Sequence, residues 1–266
     1  MRWFENIFGE KLFIVLSRQR RCIMKKVCIG VSVVILMIAV AAAAQKFEKD
    51  IIRTSIGNLD ITFIGHGTLM FSIDGKVIHV DPVSNLADYT RLPKADLILV
   101  THEHGDHLDL RALVLVRIDK TFMVISKSCA DRVPDGIVMN NGDTKIIGGW
   151  KIEAVPAYNI VHMRREGVPF HPKGVGNGYV ITFGNKRVYV AGDTEKIPEM
   201  KKLAAIDIAF LPMNLPYTMT PEMAADAAKS FNPALLYPYH FGETDTSRIV
   251  DLLKDSGIEV RIRNMK

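Results

Sequence analysis

The segment Thr101-His102-Glu103-His104-Gly105-Asp106-His107 sets three imidazoles and a ligand-type carboxylate (His102, His104, Asp106, His107) within six positions. Imidazole suits zinc, iron, nickel and copper. Carboxylate oxygen adds harder ligand character, and no cysteine stands nearby to suggest a thiolate site. Zinc is therefore the expected metal, with iron or manganese as alternatives. In extended backbone, residues i and i+2 share a side, so His102 and His104 can grip one ion together while Asp106 and His107 face elsewhere. Gly105 permits a tight turn, which lets the second pair hold a second ion close to the first. A lone histidine is usually structural; a packed set of ligand types is not.

Strands and turns must carry this cluster to its place. Asp96-Leu97-Ile98-Leu99-Val100 reads as a buried strand, which puts the cluster at a strand's C-terminal end, where sites in α/β sheets gather. Leu59–Ile64, Leu69–Ile73 and Lys76–Val80 read as earlier strands, with Asp74-Gly75 as a hairpin turn between the last two. Trp150–Val155 alternates like a half-buried strand, and a second hairpin, Tyr179–Phe183 with Arg187–Ala191, turns at Gly184-Asn185. Asp207–Leu211 and Ala234–Tyr237 are strand-like. Between them Pro221–Ser230 reads as a helix with Thr220 as N-cap and Pro221 at the first helical position. Strands with interleaved helices in both halves predict two sheets covered by outer helices, a layered α/β architecture.

Residues 1–44 differ from the rest. Val27–Ala44 runs without a charge after Met24-Lys25-Lys26 and ends in small residues, the pattern of a secretory signal with Met24 as its start and cleavage near Ala44-Gln45. The alternative is an uncleaved membrane anchor, since 18 uncharged residues barely span a bilayer. Either reading predicts an exported protein, periplasmic or extracellular, whose membrane contact is through that anchor alone. Cys28 follows Lys25-Lys26-Val27 and does not read as a lipid attachment site. Of 34 basic and 29 acidic residues, seven and two fall within residues 1–44, leaving 27 of each for residues 45–266. The remaining chain is neutral, so the pI near 9.0 belongs to the targeting segment and offers no support for nucleic-acid binding. Residues 45–266 show no repeat, low-complexity tract or long linker and read as one domain. Cys129 is its single cysteine, so no internal disulfide is available and the core or its metals must hold it together.

Together with Ala191-Gly192-Asp193-Thr194 and Tyr237-Pro238-Tyr239-His240, the histidine-rich segment resembles the metallo-β-lactamase superfamily over roughly residues 55–266. That resemblance implies a four-layer αβ/βα sandwich of two mixed sheets flanked by helices, with a two-metal site on one edge. It implies that His102 and His104 bind the first metal, Asp106 and His107 the second, that Asp193 bridges both, and that His240 completes the second site. The Gly-His-Thr-Pro-Gly-like segment that supplies the remaining ligand in many members is absent. In its place stand Val155-Pro156-Ala157-Tyr158-Asn159 and Phe170-His171-Pro172-Lys173-Gly174. Asn159 matches by position after the strand and His171 by donor chemistry; His171 is the favoured ligand, and His162 a weaker candidate on a loop. Ile64-Gly65-His66-Gly67-Thr68 with Val80-Asp81-Pro82 is similar to the branch containing L-ascorbate-6-phosphate lactonase and N-acylphosphatidylethanolamine phospholipase D. By that likeness His66 would orient substrate or stabilise charge, and Asp81 would support a ligand. His79 reads as structural.

The expected function is metal-assisted hydrolysis of a small ester, lactone or phosphodiester, with Asp106 also accepting the proton of the nucleophilic water. A true β-lactamase is not expected. Met213–Thr218 is placed to shape the pocket. Two other classes compete: an exported, metal-stabilised binding or envelope protein without catalysis, and a di-iron oxidoreductase, which would normally carry an additional redox domain.

Overall fold

Largely buried strands build the sheets, in a computed structural model that describes residues 45–265. The first sheet follows chain order: β1 (Glu48–Thr54), β2 (Gly57–Gly65), β3 (Thr68–Ile73), β4 (Lys76–Val80), β5 (Leu97–Val100), β6 (Phe122–Ser126) and β7 (Ile137–Met139). Pairing is antiparallel from β1 to β4 and parallel from β4 to β7. The chain continues through β8 (Thr144–Ile147), β9 (Trp150–Ala157), a separate pair β10 (Met163–Arg165) and β11 (Val168–Pro169), then β12 (Gly176–Phe183), β13 (Lys186–Val190), β14 (Ile208–Pro212), β15 (Leu235–Tyr239) and β16 (Glu259–Val260). The second seven-stranded sheet has the order β16-β15-β14-β13-β12-β9-β8, parallel from β13 to β16 and antiparallel from β8 to β13.

The period of two along β5 shows how one short strand serves two layers. Leu97 and Leu99 join the core between the sheets, while Ile98 and Val100 face outward and pack with Ala112, Leu113 and Val116 of α1 (Leu110–Val116). Between the sheets Phe63, Phe71, Phe210 and Tyr237 form a contiguous aromatic stack, with the Phe210 and Tyr237 ring centroids 5.1 Å apart. On the far side of the second sheet lies α2 (Pro221–Phe231), whose Phe231 meets Tyr189 edge-on at 5.8 Å. The shorter α3 (Ser247–Leu253) is also part of this side of the core through Ile249 and Leu253. The expected order of helix, sheet, sheet and helix is thus realised.

Local chemistry explains the best-defined joints. Asp74 and Gly75 both take positive φ, 49° and 70°, as a two-residue type I′ hairpin needs. Thr220 Oγ1 accepts the Met223 N–H at 3.1 Å and caps α2 as anticipated. Two long reaches then fasten the sheets to each other beside β5. Tyr179 donates its hydroxyl to the Val100 carbonyl at 2.8 Å, and the Asn177 N–H bonds the Thr101 carbonyl at 2.9 Å. Among the described residues no helix is long and apolar enough to cross a membrane. The targeting segment expected over residues 1–44 lies outside the described residues.

Candidate metal centre

On the first sheet the centre is built around the end of β5. The His104 carbonyl accepts the N–H groups of His107 at 3.0 Å and Leu108 at 2.8 Å, which folds the histidine-rich segment into a closed turn. Asp109 then caps α1 by accepting the Arg111 N–H at 2.8 Å, so the turn is followed at once by a fixed helix. Behind the turn lies Asp81, fully buried at the end of β4 with φ 44°. Its carboxylate accepts the Thr101 N–H at 2.8 Å, the Thr101 hydroxyl at 2.7 Å and His107 Nδ1–H at 2.8 Å. That last bond turns Nε2 of His107 toward the centre. Gly67 lets this happen, because a Cβ there would stand 2.7 Å from Cε1 of His107. Its neighbour His66, at φ 50°, brings Nε2 to 3.1 Å from Oδ2 of Asp106.

The second sheet contributes Asp193 and His240 from the ends of β13 and β15, and the separate β10–β11 hairpin contributes His171. Asp193 follows β13 after Gly192, which has φ 66° and packs so closely that a Cβ would lie 2.7 Å from the Asn177 carbonyl oxygen. The Gly192 N–H is fixed by the Tyr239 hydroxyl at 2.9 Å. His240 ends β15 with φ 48°, and its N–H donates to the His66 carbonyl at 3.0 Å, joining the two sheets across the centre. His171 follows β11. Its N–H and Nδ1–H both donate to Oδ1 of Asn159, at 2.9 and 2.7 Å, while the Asn159 amide donates to Glu195 at 3.1 Å and to the Tyr217 carbonyl at 2.9 Å. Glu195 is fully buried and gathers the N–H groups of Ile160, Val161 and His162, each at 2.7 Å.

These side chains converge on Asp193. Its Oδ2 lies 3.4 Å from Nε2 of both His171 and His240 and 3.9 Å from Nε2 of His102, and its Oδ1 lies 3.4 Å from Nε2 of His107. Such separations exceed a well-formed hydrogen bond. They are close to the roughly 3.4 Å expected between donors that share one tetrahedral ion at about 2.0–2.1 Å. His107 Nε2, His240 Nε2 and Asp193 Oδ1 are buried and without a hydrogen-bond partner among the described residues, a costly state unless a cation meets them. Three sets of donors each fall within 4.8 Å: His102, His104 and His171; His102, His107 and Asp193; His66, Asp106, His107 and His240. The residues present therefore fit a pair of metal ions.

Electrostatics agree with that fit. Burial, aided by the neighbouring His107 charge, holds His102 well below the usual imidazole range, and burial pushes His171 down to about 4 against the pull of Asp193. Both rings keep lone pairs free for a cation. Burial alone would lower His107 and raise Asp193, yet their pairing prevails: Asp193 and Asp81 raise His107 well above its ordinary value, while His240 and His107 hold Asp193 well below. A cation at Nε2 of His107 competes with the proton there. Burial also works against the charge of Asp106, but hydrogen bonding to His240 and His66 keeps its carboxyl far below the usual range.

Six of the eight histidines meet at this centre. His171 stands with His102 and His104, whereas Asn159, the alternative from position in sequence, holds His171 in place. His162 is away from the donor sets. Rather than lying on a free loop, it is half-buried, with Nδ1 2.6 Å from Glu195. His79 is fully buried, with Nε2 donating to the Pro93 carbonyl at 3.0 Å, in keeping with a structural role. Sequence reasoning passed over Glu195, Arg164 and Phe170. A charged residue two places after the candidate ligand Asp193 carries no motif, and a short hairpin of Met163–Arg165 with Val168–Pro169 gives almost no periodic signal. Arg164 and Phe170, with Asn214 and Tyr217 of the segment expected to shape the pocket, line a cleft of about 430 Å³ that opens onto Asp106 and Asp193.

Comparison with known proteins places this geometry. A family model described as a β-lactamase superfamily domain matches residues 60–240. A UPF0173 metal-dependent hydrolase of Methanopyrus kandleri is 30% identical over 76% of this chain and 94% of its own length. The crystal structure of a candidate metal-dependent hydrolase from Parabacteroides distasonis is 52% identical and superposes with a TM-score of 0.80, over 83% of this chain and all of that one. A metallo hydrolase of the archaeon Ignicoccus hospitalis is 26% identical with a TM-score of 0.65, over 78% of this chain and 96% of that one. The histidine-rich turn, the two mixed sheets and the donors gathered on their shared edge are those of a family: the chain belongs to the UPF0173 metal-dependent hydrolases of the metallo-β-lactamase superfamily.

Proposed function

We propose that this chain is a two-metal hydrolase of a small ester, lactone or phosphodiester. The convergence of imidazoles from both sheets on the Asp193 carboxylate carries the proposal. His102, His104 and His171 would hold one ion and Asp106, His107 and His240 the other, with Asp193 between them. Two such ions, zinc first and manganese or iron as alternatives, supply an acidified water and polarise the scissile carbonyl or phosphoryl oxygen when bound. The protein's own part is orientation and proton handling. Asp81 and Asn159 fix the tautomers of His107 and His171 by accepting their Nδ1 protons. Asp106, whose side chain is 52% exposed, is ionised and open to the cleft, so it can accept a proton as the nucleophile forms. His66 holds that carboxylate in place from the other side.

The cleft's size suits a small molecule, within the roughly 300–1,000 Å³ usual for such sites. Placement of His66 on Asp106 and of Asp81 on His107 supports the lactonase and phosphodiesterase branch over a β-lactamase. A neutral residue balance beyond residue 44 favours small-molecule over nucleic-acid partners, and the pattern of residues 1–44 favours work outside the cytoplasm, which cell fractionation would test. The deciding experiment measures metal content of the full-length protein together with hydrolysis of a phosphodiester and a lactone panel, before and after chelation. Two equivalents of metal with chelator-sensitive turnover support the reading. Bound metal with no turnover on any substrate points instead to a binding role, and turnover that survives metal removal refutes the mechanism.

A further inference from the structure

Arg164 is the one lysine or arginine among the described residues lining the cleft. It sits on β10, and its exposed side chain faces the cleft while those of Met163 and Arg165, on the opposite side of the pleat, are not among the lining residues. The carboxylates nearest in the cleft, Asp106 and Asp193, are already engaged by imidazoles. Among the described residues the guanidinium meets the Phe170 ring, 5.8 Å from its centroid, and no acid. Phe170 in turn meets Tyr217 edge-on at 5.1 Å. An unpaired guanidinium resting on an aromatic wall is a fork preset for a planar or tetrahedral oxyanion. Phe170 also directly precedes His171, so the wall and the metal-facing imidazole move as one piece of chain.

We propose that Arg164 is the specificity residue of this cleft and that the substrate carries an oxyanion, carboxylate or phosphate, apart from its scissile bond. The anionic group pairs with Arg164, the body of the molecule lies against Phe170 and Tyr217, and the scissile group is thereby presented to the metal-facing residues. This rests on the hydrolase reading for its chemistry but not for its binding, and the two are separable.

The test uses the full-length, metal-loaded protein and three small probes: phenyl phosphate, benzoate and the neutral benzamide. Binding is followed by calorimetry or ligand-observed NMR. Arg164→Gln is expected to weaken at least one of the anions about tenfold, as loss of a charge-assisted hydrogen bond does, and to leave benzamide unchanged. Arg164→Lys retains part of the affinity, and Arg165→Gln on the same hairpin changes nothing. Whichever anion loses more identifies the group as phosphate or carboxylate. With hydrolysed aryl substrates, KM rises for the anionic one while kcat holds. Unchanged anion affinity in Arg164→Gln, meaning that the metals alone hold the anion, overturns the proposal. Equal loss for benzamide, or no anion binding by the unaltered protein, does so as well. Arg164-dependent anion binding without turnover of any member of the phosphodiester and lactone panel upholds the anion site and overturns the hydrolase reading instead.

Discussion

The two halves of the centre are built by opposite strategies. On the first sheet, four donors come from a single turn after β5, held from behind by one fully buried carboxylate, Asp81. On the other side, Asp193 and His240 arrive from separate strand ends of the second sheet and His171 from the small β10–β11 hairpin, and the support of His171 is a relay through Asn159 to Glu195. A contiguous turn is rigid once its backbone bonds close, so a single brace is enough. Dispersed donors must each be fixed where their own strand ends, and His171 is held by Asn159, whose own loop Glu195 fixes by gathering the N–H groups of residues 160–162. Three non-glycine residues at this junction, His66, Asp81 and His240, hold positive φ, a conformational cost that concentrates where the two halves are forced together.

Asp193 belongs to both halves, so its loss should be the most severe. Asp193→Ala is expected to reduce bound metal at both positions and bring turnover to background, read by elemental analysis and a chelation-controlled assay. Retention of both ions would mean that the halves bind independently. Asp81→Ala comes next. It leaves the Thr101 N–H and hydroxyl and His107 Nδ1 without their buried acceptor, which should cost about 3 kcal/mol and lower Tm by several degrees, with second-site metal affinity falling in parallel. Calorimetry and metal titration on one variant check both effects, and an unaltered melting temperature would show that the turn needs no brace.

Glu195→Gln sharpens the contrast from the other side. The amide keeps the shape but weakens the grip on the 160–162 backbone, so the His102, His104 and His171 position should lose metal affinity about tenfold while the other is little changed. Equal loss at both positions would contradict a relay confined to His171. The smallest effect concerns acid. Burial pushes the His79 imidazole down to about 4, so the folded state refuses a proton that the unfolded chain accepts below about 6.5. Its contribution is complete above pH 6.5 and is lost as pH falls toward 4, about 1 kcal/mol being gone at pH 5.5. Urea titrations from pH 7 to 4 should show this slope in the unaltered protein and a shallower one in His79→Leu; identical slopes would assign the acid loss to the centre's own histidines.

The same division governs what could be read in advance. The first half was legible as chemistry because its candidate ligands are adjacent in sequence: apolar and alternating runs marked β2 to β5, Asp74-Gly75 marked a turn, and the histidine spacing marked a site. Asp193 and His240 were reached through resemblance to a superfamily rather than through any local pattern. Asn159 and His171 could not be separated by spacing, since the chain between β9 and β12 is mostly irregular around one short hairpin, and only their hydrogen bonds, with Asn159 accepting from His171, and the donor set that His171 joins tell them apart. Glu195 and Arg164 carried no signal at all. A buried carboxylate and an exposed guanidinium are recognised by what surrounds them.

By itself, then, the amino-acid sequence determined nine of the strands, β2 to β5, β9 and β12 to β15, with two hairpin turns, the capped helix α2 and a donor-rich turn at a strand end, because alternation, turn residues and ligand spacing are short-range properties of the chain. Tertiary structure alone decided which imidazole completes the first donor set, how Asp193 comes to stand among nitrogens from both sheets, and which cation is left unpaired in the cleft. Those outcomes depend on sheet pairing and on strand ends 47 and 91 residues apart being brought within about 4 Å, a proximity that no local pattern encodes.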